Sequence, residues 1–242
     1  MRNRLWMVIL VLALSLAACS QGSNQSSDSN STSKKGNNKV KYHRIVSLMP
    51  SNTEILYRLG LGNNIVGVST VDDYPKDVKK GKKQFDAMNL NKEKLLKAKP
   101  DLILAHESQK SSSGKVLNSL KKDGVKVFYV KDAQSINETY DTFKTIGKIT
   151  GREHQAQDLV DETKKNVDKV VNSVPKHHKK QSIFMEVSSK PDIYTAGKGT
   201  FFDDMLNQLD AKNSFSDING WKSVSKESII KHNPDILIST EG

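Results

Sequence analysis

The chain is 242 residues long, 36% hydrophobic and 6% aromatic, and its 38 lysines and arginines against 27 acidic residues leave a formal charge of +11. Without Arg2 and Arg4 the balance is 36 against 27, or +9, spread through polar segments such as Lys79-Lys80-Gly81-Lys82-Lys83 and Lys176-His177-His178-Lys179-Lys180. With so few aromatics interleaved, this argues against nucleic-acid binding and for solvated surface with some attraction to anionic polymers or an acidic ligand, and a single cysteine excludes an internal disulfide.

Residues 1–18 read as an export signal. Arg2 and Arg4 head an apolar run from Leu5 to Leu16, too short for a comfortable membrane span, and small residues Ala17-Ala18 precede Cys19. The placing of Cys19 resembles the lipobox of bacterial lipoproteins, which implies cleavage before it and a lipid such as palmitate on the new N-terminus. Residues 19–42 are expected to be this lipidated cysteine and a disordered linker, because Ser20 to Lys39 is Ser, Asn, Gln, Gly, Asp, Thr and Lys almost throughout and cannot offset its own ordering entropy. At about 5–6 Å times the square root of its length it is a leash of roughly 25 Å. The expected location is extracytoplasmic, lipid-anchored to the outer face of the cell membrane.

About two hundred residues remain, enough for one large domain or two small ones with proper cores. Residues 43–134 are expected to form an N-terminal α/β lobe. Arg44-Ile45-Val46-Ser47-Leu48 is a β-rich run, Met49-Pro50 breaks it, and Ser51, Asn52 and Thr53 are cap residues for a helix over Glu54–Leu59 that ends at Gly60. Ile65–Ser69 reads as a second strand, followed by a turn ending in Asp73-Tyr74-Pro75. Asn91–Ala98 is a short helix stopped near Pro100, and Asp101–Ala105 is an apolar run of the kind buried on both faces of a parallel sheet. A helix over Val116–Lys122 ended by Gly124 and a strand over Val125–Val130 complete the alternation, which implies a mainly parallel sheet.

Residues 135–175 are helical in pattern, from Ile136 to Thr150 and from Arg152 to Val174, with Gly151 between and Pro175 after. The second helix carries Ala156, Leu159, Val160, Thr163, Val167, Val170 and Val171 as one stripe and is about 33 Å long. Residues 176–242 are expected to form a C-terminal α/β lobe of similar design, with strands Ser182–Val187 and Asp235–Ser239 and helices Phe201–Leu209 and Lys226–Lys231. One phrase occurs in both lobes: Lys94-Leu95-Leu96-Lys97-Ala98-Lys99-Pro100-Asp101-Leu102-Ile103-Leu104 is echoed by Ser228-Ile229-Ile230-Lys231-His232-Asn233-Pro234-Asp235-Ile236-Leu237-Ile238. Each is read as a helix, a Pro-Asp turn and a buried strand.

Taken in order, the phrases from Arg44 to Glu54, Asp73-Tyr74-Pro75, Met88-Asn89-Leu90, Lys99-Pro100-Asp101-Leu102-Ile103 and Asn233-Pro234-Asp235 resemble the solute-binding lipoproteins of ABC importers. The resemblance runs from about residue 43 to 242 and is closest to the branch carrying vitamin B12, ferric siderophores and haem. It implies two Rossmann-like α/β lobes joined by a single long α-helix, with the ligand in a cleft between them. Relatives of this kind continue past the position of Gly242, so the resemblance also implies an incomplete C-terminal lobe.

The match further implies which residues act. In the first lobe the ligand would meet Pro50, Ser51 and Asn52 on a loop, with Tyr74, Phe85, His106 and Glu107 nearby. Phe85 stands where cobalamin-binding relatives have a tryptophan, and His106 and Glu107 follow a strand's carboxyl end, where open α/β sheets bind ligands. In the second lobe Trp221, in Gly220-Trp221-Lys222-Ser223, matches an aromatic contact. Two surface acids, one per lobe, dock on arginines of the permease in this family; the match implies Glu54 and Asp204, with Asn207 a departure. The expected partners are thus a small-molecule metal chelate, with cobalamin ahead of ferric siderophore or haem, and a permease driven by a separate ATPase. A monomer without a resident cofactor is expected.

Competing readings have weaker support. A Zn or Mn receptor needs histidines and carboxylates converging from both lobes, and relatives of that kind have a histidine where this chain has Pro50-Ser51-Asn52. An enzyme is not expected: there is no Gly-x-Ser-x-Gly elbow, Gly197-Lys198-Gly199-Thr200 lacks the first glycine of a phosphate loop, and Gly60-x-Gly62 follows a helix instead of opening one. An adhesive surface lipoprotein would have no small-molecule pocket.

Overall fold

The structure, a computed structural model, describes residues 39–175 and 180–240. The export signal, Cys19, nearly all of the linker, and residues 176–179 with His177 and His178 lie outside the described residues, as does Gly242.

Five strands form the first sheet: β1 (Ile45–Ser47), β2 (Ile65–Ser69), β3 (Lys83–Phe85), β4 (Leu102–His106) and β5 (Lys126–Val130). They lie in the order β3-β2-β1-β4-β5, every neighbouring pair parallel. Helices α1 (Pro50–Arg58), α2 (Lys92–Leu96), α3 (Gln109–Lys122), α4 (Ile136–Thr150) and α5 (Glu153–Ser173) accompany them. Because side chains alternate across a strand, Ile45, Leu102 and Leu104 enter a core with Leu56, Leu59, Ile146 and Leu159. Val46, Ile103 and Ala105 enter another, with Leu95, Leu117 and Leu120. All five residues of β4 are buried, which accounts for its unbroken apolar run.

The second sheet contains β6 (Ser182–Ser188), β7 (Ile193–Ala196), β8 (Lys212–Asn213), β9 (Trp221–Val224) and β10 (Ile236–Ser239), with helices α6 (Phe201–Gln208) and α7 (Lys226–His232). Its order is β10-β6-β7-β9, with β8 also paired to β6. Here β7 runs antiparallel to both β6 and β9, while β10 and β8 run parallel to β6. The expectation of two lobes of similar design is therefore corrected: the first sheet is parallel and the second mixed. A direct turn through Ser189–Asp192 returns the chain as β7 where the first lobe has helix α1, and a direct return makes neighbours antiparallel.

The echoed phrase has one structural meaning in both lobes. Asp101 accepts from the backbone N–H of His43 at 2.7 Å and of Arg44 at 2.9 Å, fastening the entry of β1 beside β4. Asp235 accepts from the N–H of Ser182 at 2.8 Å and does the same for β6 beside β10. Burial does not follow the echo, however. Among the described residues β10 pairs with β6 alone, and Leu237 is 59% and Ile238 40% exposed.

Helix starts follow their caps. Asn91, Ser135, Thr200 and Ser225 each accept a backbone N–H from three residues on, opening α2, α4, α6 and α7. The first helix departs from expectation: Pro50 opens it, Met49 is its cap residue, and Ser51, Asn52 and Thr53 lie in its first turn. A proline at the first position has its φ preset and gives up an N–H that has no helical partner there. The third helix begins at Gln109, not Val116, because its serine-rich first half is held by tertiary bonds such as Ser113 Oγ to Ala87 O, 2.9 Å.

The long connecting helix occupies Glu153–Ser173. Its turn from α4 is made by Gly151 at φ 73°, where a Cβ would stand 2.5 Å from Lys39 O. A Cβ at Gly147 would overlap that of Ala156, so glycine there lets α4 and α5 approach closely. Only the first half of the expected stripe is buried, through Ala156, Leu159 and Val160; Val170 is 57% exposed.

Candidate functional site

The site lies at the carboxyl ends of β1 and β4, where a parallel sheet leaves backbone groups and diverging loops to form a depression. Leu48 N–H donates to Leu104 O at 2.9 Å, continuing the ladder past β1. Gln109, buried at the start of α3, then joins the two strand ends: its Nε2 donates to Leu48 O at 2.8 Å and its Oε1 accepts from His106 N–H at 2.9 Å. Asn52, also buried, donates Nδ2 to Ala105 O at 3.4 Å. Thr53 Oγ1 donates to Ser47 Oγ at 2.8 Å. These buried amides and hydroxyls are paired with backbone or one another, as burial requires.

Above this floor is a cavity of about 530 Å³ whose lining includes Met49, Ser51, Asn52, Tyr74, His106, Asp132 and Phe143, with Glu54, Arg58 and Lys131 contributing charge. Such a volume, apolar with a few converging polar groups, is that of a small-molecule site. His106 is 8% exposed. Its Nδ1 lies 2.8 Å from Ser108 Oγ and accepts the Ser108 N–H at 3.3 Å, while Nε2 stands 3.6 Å from Asp132 Oδ1. Tyr74 is 58% exposed and broadens the mouth.

The structure thus brings Ser51, Asn52, Tyr74 and His106 together around one cavity, with Glu54 exposed beside it. Pro50 adjoins as the first residue of α1. Phe85 is a correction: it is 4% exposed, belongs to the core under β1 and β2, and lies against Gly67 so closely that a Cβ there would collide with its ring. Glu107 is outside the lining and pairs with Lys110 at 2.5 Å, whose ammonium holds the Glu107 carboxyl below the usual carboxylate range. Trp221, 47% exposed at the start of β9, is also outside this lining.

Asp204 makes a contact between lobes: its Oδ2 accepts from Ile136 N–H at 2.9 Å, at the N-terminus of α4, and from Gln208 Nε2 at 3.0 Å. A carboxylate at that end of a helix is favoured by the helix dipole. Met49, Gln109, Asp132 and Phe143 were not singled out from the sequence. For Met49, Gln109 and Asp132 the only signal is position shortly after a strand, and Phe143 lies within helix α4.

A second depression, in the other lobe, is lined by Phe215, Asp217, Lys222, Ser228 and His232 among others. His232 stacks on Phe215 with ring centroids 4.1 Å apart and sets Nδ1 2.8 Å from Ser228 O and Nε2 3.3 Å from Asp217. The hydrogen bond from His232 leads the causes that hold the Asp217 carboxyl below its usual range. Among the described residues no group of three or more His, Cys, Asp or Glu is placed to hold a metal ion.

A family model described as periplasmic binding protein matches residues 45–242. An uncharacterized ABC transporter substrate-binding lipoprotein of Bacillus subtilis, YvrC, is 43% identical over 258 residues, covering 100% of this chain and 81% of that protein. A vitamin B12-binding protein of Salmonella choleraesuis is 29% identical over 196 residues, 81% of this chain and 71% of its own. The crystal structure of a possible iron-binding, periplasmic solute-binding protein from Staphylococcus epidermidis superposes with a TM-score of 0.80 at 83% identity, covering 84% of this chain and 78% of that one. A parallel sheet with a lined cavity at its carboxyl edge, a second α/β lobe and a long helix between them agree with these matches: the chain belongs to the periplasmic binding protein family, as a substrate-binding protein of an ABC transporter.

Proposed function

We propose that this protein is a lipid-anchored, extracytoplasmic receptor that captures a metal chelate and delivers it to an ABC permease powered by a separate ATPase. The observation that carries the reading is the cavity at the ends of β1 and β4, where Tyr74, Phe143 and Met49 offer apolar surface and His106 and Asn52 converge as polar groups. Aromatic and thioether side chains suit a broad, partly apolar chelate and lose little entropy on binding it. Anchoring through Cys19 is supported by the lipoprotein name of the Bacillus subtilis relative.

Cobalamin is the chelate favoured by the resemblance to vitamin B12-binding proteins. A ferric siderophore is the second reading, favoured by the 83% identity to a protein described as a possible iron-binding one and by the burial of Phe85, which removes one ring argued to face cobalamin. Glu54 and Asp204 are the proposed permease contacts, one per lobe, and the receptor would act as a monomer. Binding and release leave the ligand unchanged, so no catalytic step is assigned.

The test is calorimetric titration of the purified protein with cyanocobalamin, hemin and ferric trihydroxamate and catecholate siderophores. One-to-one saturation by a single chelate supports the reading and names the cargo. Saturation by free Zn²⁺ or Mn²⁺ with no response to any chelate overturns it.

A further inference from the structure

The surroundings of His106 restrict what its ring can do. Nδ1 accepts the backbone N–H of Ser108 at 3.3 Å, with Ser108 Oγ at 2.8 Å. The hydroxyl can donate or accept, but the backbone N–H can only donate, so this contact favours a lone pair on Nδ1 and, in the neutral ring, the proton on Nε2. His106 and Asp132 both line the cavity, and Nε2 stands 3.6 Å from Asp132 Oδ1, close enough for a charge pair if the ring is protonated but beyond hydrogen-bond reach, on a side chain only 10% exposed. Asp132 is itself held by Gln134, whose Nε2 donates to Asp132 Oδ2 at 2.7 Å. The backbone of His106 is fixed in turn, because its N–H is bonded to the Gln109 amide that also grips Leu48 O.

We propose that His106 is a tautomer-locked hydrogen-bond donor that selects chelates presenting an acceptor oxygen, and not a ligand to the metal they carry. This rests on the reading of the cavity as the chelate site. A histidine that binds a metal through one nitrogen donates from the other to a carboxylate, carbonyl or water. At His106 the other nitrogen accepts instead. Ligation through Nε2 would move the proton to Nδ1, where the Ser108 hydroxyl could accept it but the Ser108 N–H would oppose it, and turning the ring away forfeits both Ser108 contacts. The cavity is thereby matched to a coordinatively saturated chelate with carbonyl, carboxylate or phosphate oxygens on its periphery. A flat chelate that needs an axial nitrogen from the protein is disfavoured.

Two measurements test this. Nitrogen-15 spectra of the histidine-labelled protein without ligand, taken about two units above the ordinary histidine pKa, should show His106 with a bare Nδ1 and a protonated Nε2. A resonance pattern with Nδ1 protonated overturns the proposal whether or not any chelate binds. In parallel, cyanocobalamin, a ferric trihydroxamate and hemin are titrated into wild type, His106→Leu and His106→Gln, with thermal unfolding as a check on folding. His106→Leu should weaken a saturated chelate about tenfold, and His106→Gln, which keeps an N–H donor, should recover most of that loss. A hemin complex with a nitrogen-ligated absorption spectrum that both variants abolish overturns it. If none of the three probes binds, the chelate reading of the cavity fails, and the nitrogen spectrum still decides the tautomer.

Discussion

In the first sheet β4 is covered on both faces and has Leu102, Ile103 and Leu104 fully buried, whereas its counterpart β10, reached through the same Pro-Asp turn, leaves Leu237 59% and Ile238 40% exposed. The registers are equivalent: Val46 pairs with Ile103 as Phe184 pairs with Leu237. An apolar run thus decides that a segment is a strand, and its neighbours decide what the strand is worth. β4 lies between two strands with a core on either face, while among the described residues β10 has one partner strand. The same difference separates the halves of α5, whose Ala156, Leu159 and Val160 are buried while Val170, and Val174 just past the helix end, remain exposed.

The largest expected effect breaks this comparison at its centre. Ile103→Ala should cost about 2–5 kcal/mol in denaturant unfolding of the 242-residue chain and Leu237→Ala in that same chain about 0.5 kcal/mol or less; equal costs would mean that the second lobe buries β10 as the first buries β4. Next come the Pro-Asp carboxylates. Asp101→Ala removes two surface hydrogen bonds to backbone N–H groups, which water can replace, and should cost about 1–2 kcal/mol, against about 0.5–1 kcal/mol for Asp235→Ala, which removes one. Asp204→Ala should lower stability by about 1 kcal/mol through loss of the charge-assisted bond to the α4 N-terminus, and broaden the interlobe distance distribution between spin labels. Glu54→Ala, on an exposed face of α1 at the rim of the cavity, should leave stability unchanged and abolish uptake even at ligand concentrations that saturate the receptor; normal uptake would remove Glu54 from the permease contact.

The smallest effect is one of pH. The folded Asp217 carboxyl titrates below its usual range, chiefly because His232 bonds it, so the stability it contributes is present above the unfolded carboxylate value and is lost as pH falls through the lower folded value. His232→Ala should raise the Asp217 pKa toward the ordinary value in a carbon-13 titration and flatten that part of the acid limb. An unmoved Asp217 would mean that its own backbone, and not His232, holds the carboxyl.

Local chemistry was enough for much of this molecule. Ile65–Ser69 and Ile136–Thr150 occupy the spans expected of them, and the long helix is shorter than expected by one residue at each end, because apolar periodicity, a serine cap and Gly151 all act within a few residues. The family resemblance singled out Ser51, Asn52, Tyr74 and His106, which line the cavity. Tertiary structure decided the rest. Lys83–Phe85 and Trp221–Val224 are strands because a neighbour offers them a hydrogen-bonding edge. Phe85 faces a core because Gly67 on the next strand leaves room for its ring. Gln109 matters because folding brings Leu48 and His106 within reach of one amide. Each of these depends on which distant segment arrives alongside, and a residue's type and near neighbours carry no record of that.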